Sequence, residues 1–170
     1  SPPVNVEGFE QWRSDLLETL QTMNPYSFEK LAQRLLRECG FKSVKVTKKS
    51  EDGGIDGFGK LKVNGMFCFN DAFQCKRYRG SVPASDIRDF RGSMTKSVEK
   101  GIFITTGSFS KTALDEAADP GKMQIDLIDG DDLVDKMGEI GLGLKRTYMV
   151  DREFFESLDR TPSTTTKHNA

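Results

Sequence analysis

A chain of 170 residues, 36% hydrophobic and 30% charged, is long enough to bury one sizeable core. It has no apolar run near the ~20 residues needed to span a bilayer. Its formal net charge of −1 argues mildly against a nucleic-acid binder, although the distribution of charge matters more than its sum. The single histidine, His168, lies in a Ser/Thr-rich terminal stretch, so no Ser-His-Asp or Cys-His pair is available to a folded core. Cys39, Cys68 and Cys75 form no Cys-x-x-Cys pair. They read as small buried residues of a reducing compartment rather than zinc ligands. No basic segment followed by an apolar stretch opens the chain, so no secretory signal and a cytoplasmic location are expected.

In chain order, Phe9, Trp12, Leu16, Leu17 and Leu20 recur at helical spacing and predict a helix over 9–22. Asn24-Pro25-Tyr26 breaks it. Ser27 is the expected N-cap of a second helix, which carries Phe28, Leu31, Ala32, Leu35 and Leu36 on one face and ends at Gly40. Alternation predicts a strand over 43–49, with Val44 and Val46 on one face and lysines on the other. A glycine-rich turn over 53–57 follows. Strands over 58–63 and 66–76 are joined by Asn64-Gly65, a strong hairpin signal. A helix is expected over 83–94, then a continuous apolar strand over 101–106, suited to a sheet covered on both faces. Ser110 caps a helix to about Ala118. A strand over 125–128, a helix over 129–137 with acids in its first turn, and a short helix over 151–158 complete the series. Residues 159–170 have almost nothing to bury and are expected to be disordered. The order predicts an α/β fold with a central mixed β-sheet flanked by helices. No internal repeat is present.

The chemistry-bearing residues concentrate around the glycine turn and the strand after it. Asp56 lies between glycines. Gln74 and Lys76 share one strand face, and Cys75 takes the other. Magnesium takes one or two protein carboxylates, with waters and substrate oxygens completing its shell. An ammonium group nearby can stabilise a phosphate in its transition state. Asp56, Gln74 and Lys76 meet this need, and Glu29 offers a second acid from the adjacent helix. Two basic stretches flank the turn: Lys42, Lys45, Lys48 and Lys49 before it, and Lys76, Arg77, Arg79, Arg88 and Arg91 after it. Either alone is a solvated face; together they form a candidate phosphate track.

Five segments occur in order over roughly residues 25–145. They are Phe28-Glu29; Gly53-Gly54-Ile55-Asp56-Gly57; Gln74-Cys75-Lys76-Arg77-Tyr78; Asp86-Ile87-Arg88-Asp89-Phe90-Arg91-Gly92; and Gly101-Ile102-Phe103-Ile104-Thr105-Thr106-Gly107. This set resembles the motifs of the Mrr-type, Gln-x-Lys branch of the PD-(D/E)xK nuclease superfamily. The resemblance implies a restriction-endonuclease-like core and Mg²⁺-dependent hydrolysis of DNA phosphodiesters, with Mn²⁺ able to substitute. The best-known members are type IV restriction enzymes directed at modified, mostly methylated, double-stranded DNA. Carried over residue by residue, Asp56 is the main metal ligand and Glu29 the helix acid. Gln74 stands where the wider superfamily has a second acid, Lys76 is the catalytic lysine, and the Cys75 backbone carbonyl is a further oxygen donor. Arg77, Arg79, Arg88, Lys48 and Lys49 are candidate DNA contacts, which position the duplex without reading it.

On the same reading residues 1–24 are an N-terminal helix and linker, 25–145 the catalytic domain, 146–158 an extension with a short helix, and 159–170 a tail. The first 24 residues are too few for the winged-helix recognition domain that such enzymes carry, so recognition is expected from a part outside this chain. Cutting both strands implies a homodimer. Each site residue also has a plainer role open to it. Glu29 suits a first-turn acid on the helix dipole, Asp56 a turn residue bonding its own backbone, and Lys76 a solvent-facing strand lysine. A repair or recombination nuclease, and a DNA-binding module without catalysis, are the alternatives to a restriction enzyme.

Overall fold

The computed structural model describes residues 6–47 and 54–160, with side chains from residue 10 onward. Five strands form one mixed sheet in the order β1-β2-β3-β5-β7: β1 Phe41–Val46, β2 Gly57–Val63, β3 Phe67–Lys76, β5 Lys100–Thr105 and β7 Ile125–Ile128. The first three are antiparallel neighbours, and β5 and β7 add in parallel. Helices α1 Val6–Thr22, α2 Pro25–Glu38 and α5 Gly130–Ile140 cover one face; α3 Ala84–Gly92 and α4 Lys111–Ala117 cover the other. A small parallel pair, β4 Ser81–Val82 with β6 Ser108–Phe109, lies beyond the ends of β3 and β5. The last helix, α6 Arg152–Asp159, has no buried residue.

The period of two along the strands builds two cores from one sheet. Phe73, Ile102 and Ile104 pack with Leu16, Leu20, Phe28, Leu35, Leu36 and Leu133. The residues between them, Ala72 and Phe103, pack with Ile87, Phe90, Ala113 and Ala117. The β5 run Gly101–Thr106 is buried throughout, as a strand with helices on both sides requires. Phe103 meets Phe90 and Phe109 edge-on at 5.7 and 5.9 Å. Arg91 on α3 and Glu116 on α4 pair at 2.5 Å and lock the second face.

Cys39 and Cys68 are exposed rather than buried as expected, and three local features of the elements also differ from expectation. Asn24, not Ser27, caps α2: its side chain accepts from Tyr26 N at 2.9 Å. Pro25 starts the helix because its fixed φ and missing N–H suit the first turn. In β1 the register shifts between Lys42 and Lys45, with Ser43 at φ +54°. That bulge turns Val46 outward, 54% exposed, while Val44 packs inward. The pair β4–β6 has only two residues per strand and no periodicity to announce it. The hairpin is as read: Asn64 and Gly65 have φ +51° and +70°, the positive values a type I′ turn demands. Asp129 and Asp132 close a capping box on α5, as their first-turn position suggests. The tail is expected from residue 159, but Asp159 ends α6; residues 161–170 and the candidate residues Lys48 and Lys49 lie outside the described residues.

Candidate active site

The site is built where β2 begins and β3 ends. Ile55 and Asp56 lead the chain into β2, and hydrogen bonds on both sides fix their backbone. Thr47 N donates to Asp56 O at 3.0 Å, and Asp56 N donates to Phe73 O at 2.9 Å. The Thr47 hydroxyl donates to the Ile55 carbonyl. Gly57 follows because nothing larger fits: a Cβ there would lie 2.4 Å from both Lys45 O and the Phe73 ring. This close packing holds Asp56 against the middle strand.

The Asp56 carboxylate is fixed on β3 itself, where its Oδ2 accepts from Cys75 N at 2.6 Å. It is therefore tied to the backbone of the Gln74-Cys75-Lys76 segment. Glu29, half-buried on α2, belongs to the same neighbourhood. The Cys75 thiol is held well above its ordinary range by burial first, and then by the negative charges of Asp56 and Glu29. The structure thus joins Asp56 to Cys75 directly, while Glu29 acts on Cys75 through its charge.

Gln74 and Lys76 line a cleft of about 350 Å³ with Cys75, Asp86 and Asp89. Gln74 Oε1 is buried and has no hydrogen-bond partner among the described residues. Lys76 Nζ lies 2.5 Å from Asp86 Oδ2 on the first turn of α3 and 4.7 Å from the Tyr78 ring centroid. Beyond Lys76 the chain is anchored by β5. Thr105 Oγ1 donates to Lys76 O at 2.8 Å, and Thr106 Oγ1 donates to Tyr78 O at 2.7 Å.

By type, the carboxylates of Asp56 and Glu29, the Cys75 carbonyl and the unpartnered Gln74 amide oxygen are oxygen donors of the kind a hard divalent cation takes. Among the described residues no group of three or more His, Cys, Asp or Glu side chains is assembled to hold a metal.

The candidate DNA contacts divide by environment. Arg77 turns inward, Nη1 donating to Gln21 O at 2.8 Å. Arg79 stays 56% exposed while pairing with Glu18 at 2.9 Å. Arg88, equally exposed, is 3.8 Å from Glu116. Asp86 and Tyr78, the partners of Lys76, carried no individual signal in the sequence. Both stand within the segments that carry the family resemblance, and only the packing of α3 on β3 reveals the pair.

A family model described as restriction endonuclease, of the Mrr catalytic type, matches residues 20–137. Among curated proteins no sequence matches the chain. Among solved structures, the DNA modification-dependent restriction endonuclease AspBHI aligns with a TM-score of 0.63 at 21% identity, over 85% of this chain and 40% of that one. The MspJI restriction endonuclease, in complex with a 27-mer oligonucleotide, aligns with a TM-score of 0.61 at 22% identity, over 81% of this chain and 33% of that one. AF1548, a protein of unknown function, aligns with a TM-score of 0.54 at 20% identity, over 81% of this chain and 78% of that one. The chain thus spans well under half the length of the two enzymes whose fold it shares. With the family match covering most of its length, the chain belongs to the Mrr-type restriction endonucleases and matches the catalytic domain of that family.

Proposed function

We propose that this domain cleaves double-stranded DNA in a Mg²⁺-dependent reaction, as the catalytic unit of a type IV enzyme directed at modified, chiefly methylated, DNA. The observation that carries the reading is the bond from Cys75 N to Asp56 Oδ2, 2.6 Å long. It ties a carboxylate to the backbone of the strand that carries Gln74 and Lys76. The direction toward modified DNA rests on the fold shared with AspBHI, whose description is modification-dependent.

In this reading Asp56 and Glu29 hold the cation, with the Cys75 carbonyl and the Gln74 amide oxygen as neutral donors. The bound cation supplies Lewis-acid charge and lowers the pKa of a coordinated water. Lys76 presents its ammonium to the scissile phosphate and offsets the charge that grows there. Asp86 and the Tyr78 face hold that ammonium in place until DNA arrives. Gln74 carries no charge, so the set keeps less negative charge than a three-carboxylate site. Arg79 and Arg88, with Lys48 and Lys49, meet flanking phosphates. Residues 25–145 form the catalytic unit, and α1 completes its core through Leu16 and Leu20. Recognition of the modified base comes from a part outside this chain, and cutting both strands requires two copies.

The test is incubation of the chain and its Asp56→Ala variant with methylated and unmethylated plasmid, in Mg²⁺ or EDTA. Nicking that needs Mg²⁺ and disappears in the variant supports the site. Preference for the methylated plasmid assigns part of the specificity to this domain. Cleavage that survives Asp56→Ala or EDTA refutes the assignment.

A further inference from the structure

The sheet face that carries Gln74 and Lys76 continues across β2 and β1 as a row of lysines. Ala72, two residues before Gln74, packs in the second core, and its cross-strand neighbour Phe58 packs against the same core. Lys60 and Lys62 follow Phe58 at a period of two, so they stand on that face. Lys45 lies opposite Phe58, and Lys42 lies opposite Lys60. In a regular strand residues 42 and 45 would point to opposite faces. The bulge at Ser43, φ +54°, slips one residue out of register and puts both on this side.

The four lysines are exposed, and none has an ion pair among the described residues. Lys76, Lys100, Lys122 and Lys136, by contrast, each hold a carboxylate. Lys42 and Lys60 are direct cross-strand partners, and like charges so placed destabilise a sheet. Lysine on an edge strand keeps a sheet from pairing with another chain, which accounts for Lys42 and Lys45 on β1. It does not account for Lys60 and Lys62, because β2 lies between β1 and β3. A recess of about 410 Å³ opens on this face, bounded by the strands and the loop after α3. Lys45 and Lys60 line it with Ser43, Phe58, Asn70 and Ser97, and no acid is among its lining residues. Glu99, next in the chain to the recess, has its carboxylate taken by Asn70 N at 2.9 Å.

We propose that this β1–β2 face is a phosphate-binding surface for duplex DNA, with Lys45 and Lys60 holding one backbone phosphate at the recess and Lys42 and Lys62 meeting its neighbours. Lys42 and Lys45 belong to the basic stretch before the glycine turn; Lys60 and Lys62 join it only through the sheet. The proposal rests on the nuclease reading and extends its substrate contacts. Asn70 lies four residues before Gln74 on β3, about 13 Å at ~3.3 Å per residue. A duplex seated at the Gln74–Lys76 cleft spans that distance in about four base pairs at ~3.4 Å each.

The experiment is fluorescence anisotropy of the whole chain with a labelled duplex in EDTA, over a range of salt. Each lost phosphate contact makes the slope of log affinity against log salt shallower by about 0.9. The double variant Lys45→Gln/Lys60→Gln should therefore lose about 1.8. Lys136→Gln, on α5 across the sheet, removes one positive charge away from this face and should bind as the parent does. Such exposed substitutions change stability little, so the variants remain folded. A double-variant slope equal to the parent's, or an equal loss per charge in Lys136→Gln, would overturn the proposal and leave the nuclease reading intact. A poly-glutamate chain that competes as strongly as unlabelled duplex would mark an undirected anion surface and overturn it as well. A parent that binds no duplex at low salt would overturn both readings. Because the readout is binding without metal, failure of the Asp56 cleavage assignment is seen separately.

Discussion

The ammonium of Lys76 and the carboxylate of Asp86 lie 2.5 Å apart, joining the end of β3 to the first turn of α3. The side chains are 35% and 27% exposed, so water screens the pair and its worth to stability is only about 0–1 kcal/mol. Its consequence is positional. Lys76 has four rotatable side-chain bonds, and Asp86, with the Tyr78 ring 4.7 Å away, selects one direction for it. Asp86→Asn should leave the unfolding midpoint nearly unchanged. It should lower the single-turnover cleavage rate by about 10²-fold, the scale of a misplaced reacting group, with little effect on KM. Asp86→Glu should recover part of the loss. A variant as fast as the parent would remove Asp86 from the machinery.

Gly57 adjoins Asp56 and tests how closely the site depends on packing. A methyl at 57 would lie 2.4 Å from the Lys45 carbonyl oxygen and from the Phe73 ring. Neither can yield easily, because one belongs to the β1 backbone and the other to the core. Gly57→Ala should cost about 1–3 kcal/mol in urea unfolding and reduce cleavage as Asp56 is displaced. Gly92→Ala, at a position with nothing within 4 Å of the added methyl, is the control and should be neutral or slightly stabilising. Equal behaviour of the two variants would contradict the packing argument.

These two cases mark where the sequence was legible and where it was not. The strand over 125–128 and the Asn64-Gly65 hairpin follow from period and turn chemistry, both local properties. The order of the acid-bearing helix, the glycine turn and Gln-x-Lys likewise lies in the linear pattern. The Ser43 bulge escaped because an alternating run looks the same whether or not one residue slips out of register. Ser27 misled because Asn24-Pro25 reads equally as a break and as a cap followed by a first-turn proline. The Lys76–Asp86 pair and the burial of Asp71 depend on how α3, α2 and α5 lie on the sheet. No local spacing records such placement.

Asp71 makes stability depend on pH in a direction opposite to that of most carboxylates. Burial is the main cause, and its carboxyl is pushed up to about 6 from an ordinary 3.8. Between those values the folded chain keeps a proton that the unfolded chain releases. Stability therefore falls as pH rises through this window and levels off above it. The loss is at most about 3 kcal/mol. Asp71→Asn cannot titrate, so the stability of the parent relative to the variant should decline from pH 4 to pH 7. Urea unfolding of both proteins across that range measures the difference, in which the other titrating groups cancel. A flat difference would mean that Asp71 titrates normally and is not buried as described.

Arg77 and Arg79 are neighbours in sequence with different physical roles. Arg77 is half-buried, and its Nη1 donates to the Gln21 carbonyl at 2.8 Å, tying the end of α1 to the chain after β3. Removing it leaves that carbonyl without its donor, so Arg77→Ala should lower stability by about 1–3 kcal/mol. Arg79 is 56% exposed, and its partner Glu18 is 62% exposed, so Arg79→Ala should change stability by no more than about 0.5 kcal/mol. Its loss should instead appear in DNA affinity. Each phosphate contact contributes about 0.9 to the slope of log affinity against log salt. Fluorescence anisotropy with a labelled duplex in EDTA, repeated over a range of salt, should give a shallower slope for Arg79→Ala by about that amount. An unchanged slope would exclude Arg79 as a phosphate contact and leave Arg88 and the lysines before the glycine turn to carry the track.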